Sequence, residues 1–322
     1  MEAINRELLD FIDKSPTAWH AAANVAAELE RAGYSRLYEE EDWQLRAPGK
    51  YYAVRNGSAL IALNLPEEAD GFLIMAAHDD SPTFRVKDGG EEKTLGLYSR
   101  LAVEKYGGML CSTWLDRPLS LAGRVAVREK DGITMKLVNI DRDLLVIPNL
   151  AIHMDRSANE GKSFNVNVDM IPLIGSAESK TGLNALIAEA LDVKEEDIVS
   201  RELNLYPRTP GTVWGAENEF ISAPRLDDLQ CAFGYLKGFL QADKPKRPPF
   251  CASSTTRRSA AAPARARIPA SWTICSAEPG RLSAAATRST APRWPTASWF
   301  RPTTPTQSTP TTRSMPTATS AP

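Results

Sequence analysis

Histidine is scarce in this 322-residue chain: there are three, His20, His78 and His153. The four cysteines, Cys111, Cys231, Cys251 and Cys275, show no Cys-x-x-Cys spacing, which excludes a zinc ribbon and gives no sign of a disulfide framework. No apolar run is long enough to span a bilayer, and Met1-Glu2-Ala3-Ile4-Asn5 opens directly into a helical pattern with no signal peptide. A soluble, cytoplasmic protein without a membrane partner is expected. A formal net charge of -2 gives no reason to expect nucleic acid either.

Acidic residues and lysine are missing unevenly. From Cys251 onward there is one acidic residue, Glu278, with nine arginines and no lysine, amid Ala, Ser, Thr and Pro. Such a stretch cannot bury a core, and on composition it reads as a disordered low-complexity tail over 251–322. Its aromatic residues, Trp272, Trp294, Trp299 and Phe300, do not interleave regularly with the arginines, so a nucleic-acid-binding arm is disfavoured.

What is present is concentrated before Phe250. The stretch Gly71 to Lys87 runs through apolar residues and stops at His78-Asp79-Asp80, with Pro82 ending it. Its length and apolarity predict a strand over 72–77 buried on both faces, which would deliver an imidazole and a carboxylate to a sheet edge. In a His-x-Asp arrangement His78 can give one ring nitrogen to a metal while Asp80 fixes the other. A hydrogen-bonded structural histidine is the competing reading of the same three residues.

Ahead of this strand, apolar spacing predicts a helix over 2–13 and a second running to about Arg31, with Ser15 or Thr17 as cap, Gly33 as stop and His20 structural. Strands are predicted over 51–55 and 59–63, joined by an Asn56-Gly57 hairpin turn. From Thr83 to about Pro172, short alternating segments, Phe164–Val168 among them, predict an antiparallel β insertion. A helix over 180–191, a short strand over 203–206 and an amphipathic helix over 225–241 follow. Asp227 opens that last helix, where a carboxylate either complements the helix dipole or, paired with His78, bridges two metal ions.

The strings MAAHDDSPTFRVK (75–87), TWLDRPLSLAGRV (113–125), IPNLAIHMDR (147–156) and SAPRLDDLQCAFGYL (222–236) together resemble the M18 aminopeptidases, the aspartyl-aminopeptidase-like zinc metallopeptidases. The resemblance covers about residues 1–250. It implies an α/β peptidase domain with a central mixed sheet flanked by helices, interrupted by a β-rich dimerisation insertion. The corresponding division is 1–87 and 216–250 for the peptidase domain and 88–215 for the insertion. It also implies a metal-dependent aminopeptidase that releases N-terminal, possibly acidic, residues from peptides through water activated by two zinc ions, in a dimer-based homo-oligomer, often a dodecamer. By position, His78 and Asp227 match metal ligands, Asp80 the residue that supports His78, and His153 a histidine at the active site that is sometimes a ligand. No substrate-binding residue is assigned, with Trp114, Arg117 and Arg225 open to either a contact role or a structural one.

The chain departs from the family after Phe250. The family continues with a strand ending Asp-Asn-Glu-Glu-Val-Gly-Ser, which holds the general base and a metal ligand, and later with further ligands, and these strings are absent here. Codons for Leu-Phe-Asp-Asn-Glu-Glu with C or G at most third positions, read one base late, spell Ser-Ser-Thr-Thr-Arg-Arg, the sequence of 253–258. The family string Ala-Asp-Asn-Ala-His-Ala-Val-His-Pro-Asn-Tyr-Pro, shifted the same way, spells residues 302–313. A frameshift between about Pro248 and Ser253 is the expected origin of the tail. The product is then expected to be inactive for want of a general base. The alternative is a non-catalytic remnant that keeps the dimerisation insertion.

Overall fold

The computed structural model describes residues 2–68, 71–242 and 249–254. The expectation of a disordered tail lies outside the described residues from residue 255 onward. Two helices open the chain, α1 (Glu2–Asp13) and α2 (Ala18–Arg31). Spacing of three and four residues puts Leu8, Phe11 and Ile12 of α1 and Ala21, Val25 and Leu29 of α2 into one buried cluster. The turn between them departs from the expected capping: Thr17 holds the N-cap position, but its hydroxyl pairs with His20 Nδ1 at 2.8 Å and not with a backbone N–H. Gly33, at φ 81°, ends the helical segment as a left-handed glycine can.

The strands β1 (Ser35–Leu37), β2 (Gly49–Arg55), β3 (Ala59–Leu65) and β4 (Leu73–His78) belong to a first sheet. A last strand, β13 (Pro249–Ser254), inserts between β3 and β4, antiparallel to the former and parallel to the latter, so the order is β1-β2-β3-β13-β4. The sheet is mixed, as expected. Its Tyr52, Leu60, Ala62 and Cys251 pack with the opening helices and with Leu229, Phe233, Leu236 and Phe239 of α5 (Leu226–Gln241).

Between β4 and α5 lies a second, wholly antiparallel sheet. It contains β5 (Thr83–Thr94), β6 (Tyr98–Tyr106), β7 (Leu119–Glu129), β8 (Gly132–Asn139), β9 (Leu173–Ser176) and β10 (Ile198–Pro207), ordered β8-β7-β10-β5-β6-β9. Leu119, Leu121 and Val125 of β7 are fully buried in its core, together with Phe84, Trp114 and Leu183. Leu183 opens α4 (Leu183–Leu191), whose first backbone N–H donates to Glu91 Oε2 at 3.2 Å. A short hairpin, β11 (Thr212–Trp214) and β12 (Phe220–Ser222), leads back to α5.

Two expectations are corrected. The alternating Phe164–Val168 segment is not a strand: Asn165 accepts from the Asn167 N–H and caps the one-turn helix α3 (Val166–Asp169). Local hydrogen bonding from an Asn side chain has overridden the period-two pattern. Nor is β4 buried on both faces. It is the edge of its sheet among the described residues, and Leu73 and Ile74 are 56% and 46% exposed.

Candidate metal centre

Strand β4 ends where its sequence turns polar, and the three residues that end it face different surroundings. The His78 ring is held from below: its Nδ1–H donates to the Asp80 carbonyl at 3.0 Å, and Asp80 Oδ1 lies 3.3 Å from the same nitrogen. Asp80 is in turn fixed from the second sheet by Tyr106 at the end of β6, whose hydroxyl donates to Oδ2 at 2.6 Å. Arg85 on β5 lies over the Tyr106 ring, 4.0 Å from its centroid. The carboxylate beside the ring raises the imidazole pKa above its ordinary value, outweighing the opposing effect of burial.

Asp79 points the other way and is 3% exposed. Burial raises its carboxyl pKa to about 8, a cost that the nearby Ser253 hydroxyl of β13 offsets only in part, without a hydrogen bond of ordinary geometry.

The second carboxylate comes from the start of α5. Arg225 precedes it in the left-handed region, φ 61°, with its guanidinium buried. Nη2 donates to the carbonyl of Ile12 at the end of α1 at 3.0 Å, and the group lies 5.7 Å from the Tyr206 ring centroid. Burial lowers its pKa to about 10, which still leaves it charged at neutral pH. Arg225 thus ties the first turn of α5 to both the opening helices and β10. Asp227 and Asp228 follow with non-helical backbone angles, φ/ψ of -85°/103° and -125°/23°. The helix-dipole reading of Asp227 fails for this reason: regular winding has not begun where its carboxylate leaves the chain.

That carboxylate meets His78 instead. Asp227 Oδ1 lies 3.0 Å from His78 Nε2, and Asp228 Oδ2 accepts from the His78 backbone N–H at 3.3 Å. Ser81 Oγ–H donates to the Asp227 carbonyl at 3.3 Å, closing the loop after β4 against the helix start. The tautomer matters here. With Nδ1–H donated to Asp80, a neutral imidazole has only a lone pair at Nε2, and a carboxylate oxygen 3.0 Å away is a second electron donor. Two such donors at that distance require a cation between them, either a proton on Nε2 or a metal ion. An imidazole nitrogen with a carboxylate oxygen is also a zinc donor pair by type.

The fit stops at two ligands. Among the described residues no group of three His, Cys, Asp or Glu side chains could hold a metal ion. His153 lies exposed in the turn at 152–154 and does not complete such a group. Trp114 is a core residue, edge-on to Phe84 with ring centroids 5.1 Å apart. Sequence reasoning missed Tyr106 and Asp228. Asp228 could have been found as the neighbour of Asp227, whereas Tyr106 carries no local signal, since only the fold brings β6 beside Asp80.

With this geometry in hand, similarity to known proteins can be placed. Residues 11–252 match the family model described as aminopeptidase I zinc metalloprotease (M18). A probable M18 family aminopeptidase 2 of Clostridium novyi is 43% identical over 249 residues, which are 74% of this chain and 58% of the relative. Among solved structures, Ape4 in its complex with Nbr1 superposes with a TM-score of 0.74 at 35% identity, over 78% of this chain and 54% of that one. The S. cerevisiae mApe1 dodecamer superposes with a TM-score of 0.68 at 26% identity, over 78% and 60%. The chain therefore spans little more than half the length of the proteins it matches.

Proposed function

We infer function from membership: the chain belongs to the M18 family of aminopeptidase I zinc metalloproteases, hydrolases of peptide bonds, and His78, Asp80 and Asp227 are its share of a zinc centre. The supporting observation is the 3.0 Å approach of Asp227 Oδ1 to His78 Nε2, two donors from distant parts of the chain that need a cation between them. His78 and Asp227 are the ligands, Asp80 sets the tautomer through its carbonyl and carboxylate, and Tyr106 holds Asp80. When bound, zinc would polarise the scissile carbonyl and acidify a water molecule.

Two ligands do not make a closed shell, and the described residues place no carboxylate where it could serve as general base. The reading is therefore an M18 aminopeptidase in which the centre is incomplete: zinc binds weakly, and peptides with free, acidic N-termini are not turned over. A pair of zinc ions, His153 as a ligand contributed by a neighbouring subunit, and a dimer-based assembly built on residues 88–215 belong to the same reading. So does an out-of-frame origin for the chain beyond about Pro248, and a cytosolic setting. No described helix is long and apolar enough to cross a membrane.

Calorimetric titration with zinc tests the centre. Weak binding is expected that falls at least roughly tenfold in His78→Ala and in Asp227→Ala. Unchanged binding in both variants would remove the assignment. Metal-dependent release of an N-terminal aspartate by the purified chain would refute the incompleteness.

A further inference from the structure

The first sheet has its helices against one face. Tyr52, Val54, Leu60, Ala62, Cys251 and Met75 all belong to the core that contains α1, α2 and α5 residues. Register partners share a face, so the row Tyr51, Leu63, Phe250 and Ile74 is turned to the other side. Phe72 joins it by alternation. None of these five residues belongs to either buried apolar cluster of the described residues. Exposure grows along the row toward the edge, from 9% at Phe250 to 46% at Ile74. A sheet with one apolar face uncovered and an apolar edge strand is one layer short of a closed core.

Chain length points to what covers it. The family match ends at residue 252, inside β13, which is an interior strand of this sheet. The relatives are longer, with 58% of the Clostridium novyi chain lying in the matched span. Chain that continues from an interior strand has the uncovered face and the β4 edge within immediate reach, and a second copy of the present chain brings no such segment. We propose that the uncovered face and the β4 edge of this chain bind, in trans, the segment of an M18 aminopeptidase that follows the matched span. Docking adds a strand to β4 and an apolar layer over Ile74 and Phe72. It rests on the sheet and on family membership, and needs no metal.

The test is co-expression of the 322-residue chain with a tagged form of that downstream segment of the Clostridium novyi relative, purification on the tag in a chelator, and amide hydrogen exchange. A one-to-one complex is expected, in which the amides of 73–78 exchange at least roughly tenfold more slowly than in the chain alone. Ile74→Lys, at an exposed position that leaves the circular dichroism unchanged, should cut recovery of the complex at least fivefold, on the order of 1 kcal/mol. Met135→Lys, on the exposed strand β8, should not. If co-expression gives no soluble complex, the two chains are mixed in urea and refolded together, and absence of a complex there too overturns the proposal. So does a complex in which 73–78 exchanges as before. Protection of 73–78 in the chain alone also overturns it, pointing to its own residues 255–322 if the chain is monomeric and to a second copy if it is a dimer. Because the chelator is present throughout, failure here leaves the zinc reading to its own titration.

Discussion

Strands β7 and β4 are both apolar in sequence, and they end in opposite circumstances. Leu119, Leu121 and Val125 of β7 are fully buried, flanked by β8 and β10 in a six-stranded sheet with its own core. Leu73 and Ile74 of β4 are about half exposed, with a neighbour on one side alone among the described residues. An apolar run thus reports what a strand is suited to pack against, and its burial depends on whether that partner is on the same chain. The sharpest test of the contrast is a truncation in the second sheet. Phe84 is fully buried against Trp114, and Phe84→Ala should cost about 3–5 kcal/mol in urea unfolding. A cost below about 1 kcal/mol would mean that the second sheet is no better packed than the first.

The next largest effects come from buried ionisable groups beside the first sheet. Asp79 has a folded pKa near 8 against an ordinary value of 3.8, so between those values the unfolded chain ionises while the folded one does not. Stability therefore falls as pH rises through that window. Asp79→Asn should remove the slope and stabilise the fold at pH 8 by about 3 kcal/mol, read as a higher melting temperature. Destabilisation at pH 8 would show that the ionised carboxylate has a favourable partner. His20 acts with the opposite sign. Burial lowers its pKa from 6.5 to about 4, so its contribution is complete above 6.5 and lost as pH falls toward 4. Between pH 6.5 and 4 the loss should be about 2–3 kcal/mol, and it should disappear in His20→Gln. A slope unchanged in that variant would assign the effect to another group.

Much of this was legible in the sequence because its signals are local. The Asn56-Gly57 turn, the spacing of Leu229, Phe233 and Leu236, and the abrupt end of the apolar run at His78 each follow from a few adjacent residues. Membership of the M18 family was legible from four short strings in order, and the break after Phe250 from composition. What was not legible depends on distant chain. The exposure of β4 is set by what lies beyond its edge, the orientation of Asp80 by a tyrosine on another sheet, and the use of Asp227 by a backbone that delays the helix until Leu229. Asn165 shows the other failure, a side chain that caps its own turn within a stretch whose alternation suits a strand.

The smallest effect returns to the contrast between the strands. Ile74 is 46% exposed, so truncation to alanine surrenders only part of the transfer free energy of the side chain and leaves no sealed cavity. A modest loss of strand preference adds to this. Ile74→Ala should therefore cost about 1 kcal/mol or less in the chain alone, several-fold less than Phe84→Ala. If a downstream segment covers that face, the same substitution in the complex should cost at least twice as much, because the methyl groups it removes are then fully out of water. A cost of about 3 kcal/mol in the isolated chain would show that Ile74 is already covered and that the two strands do not differ in the way their exposures imply.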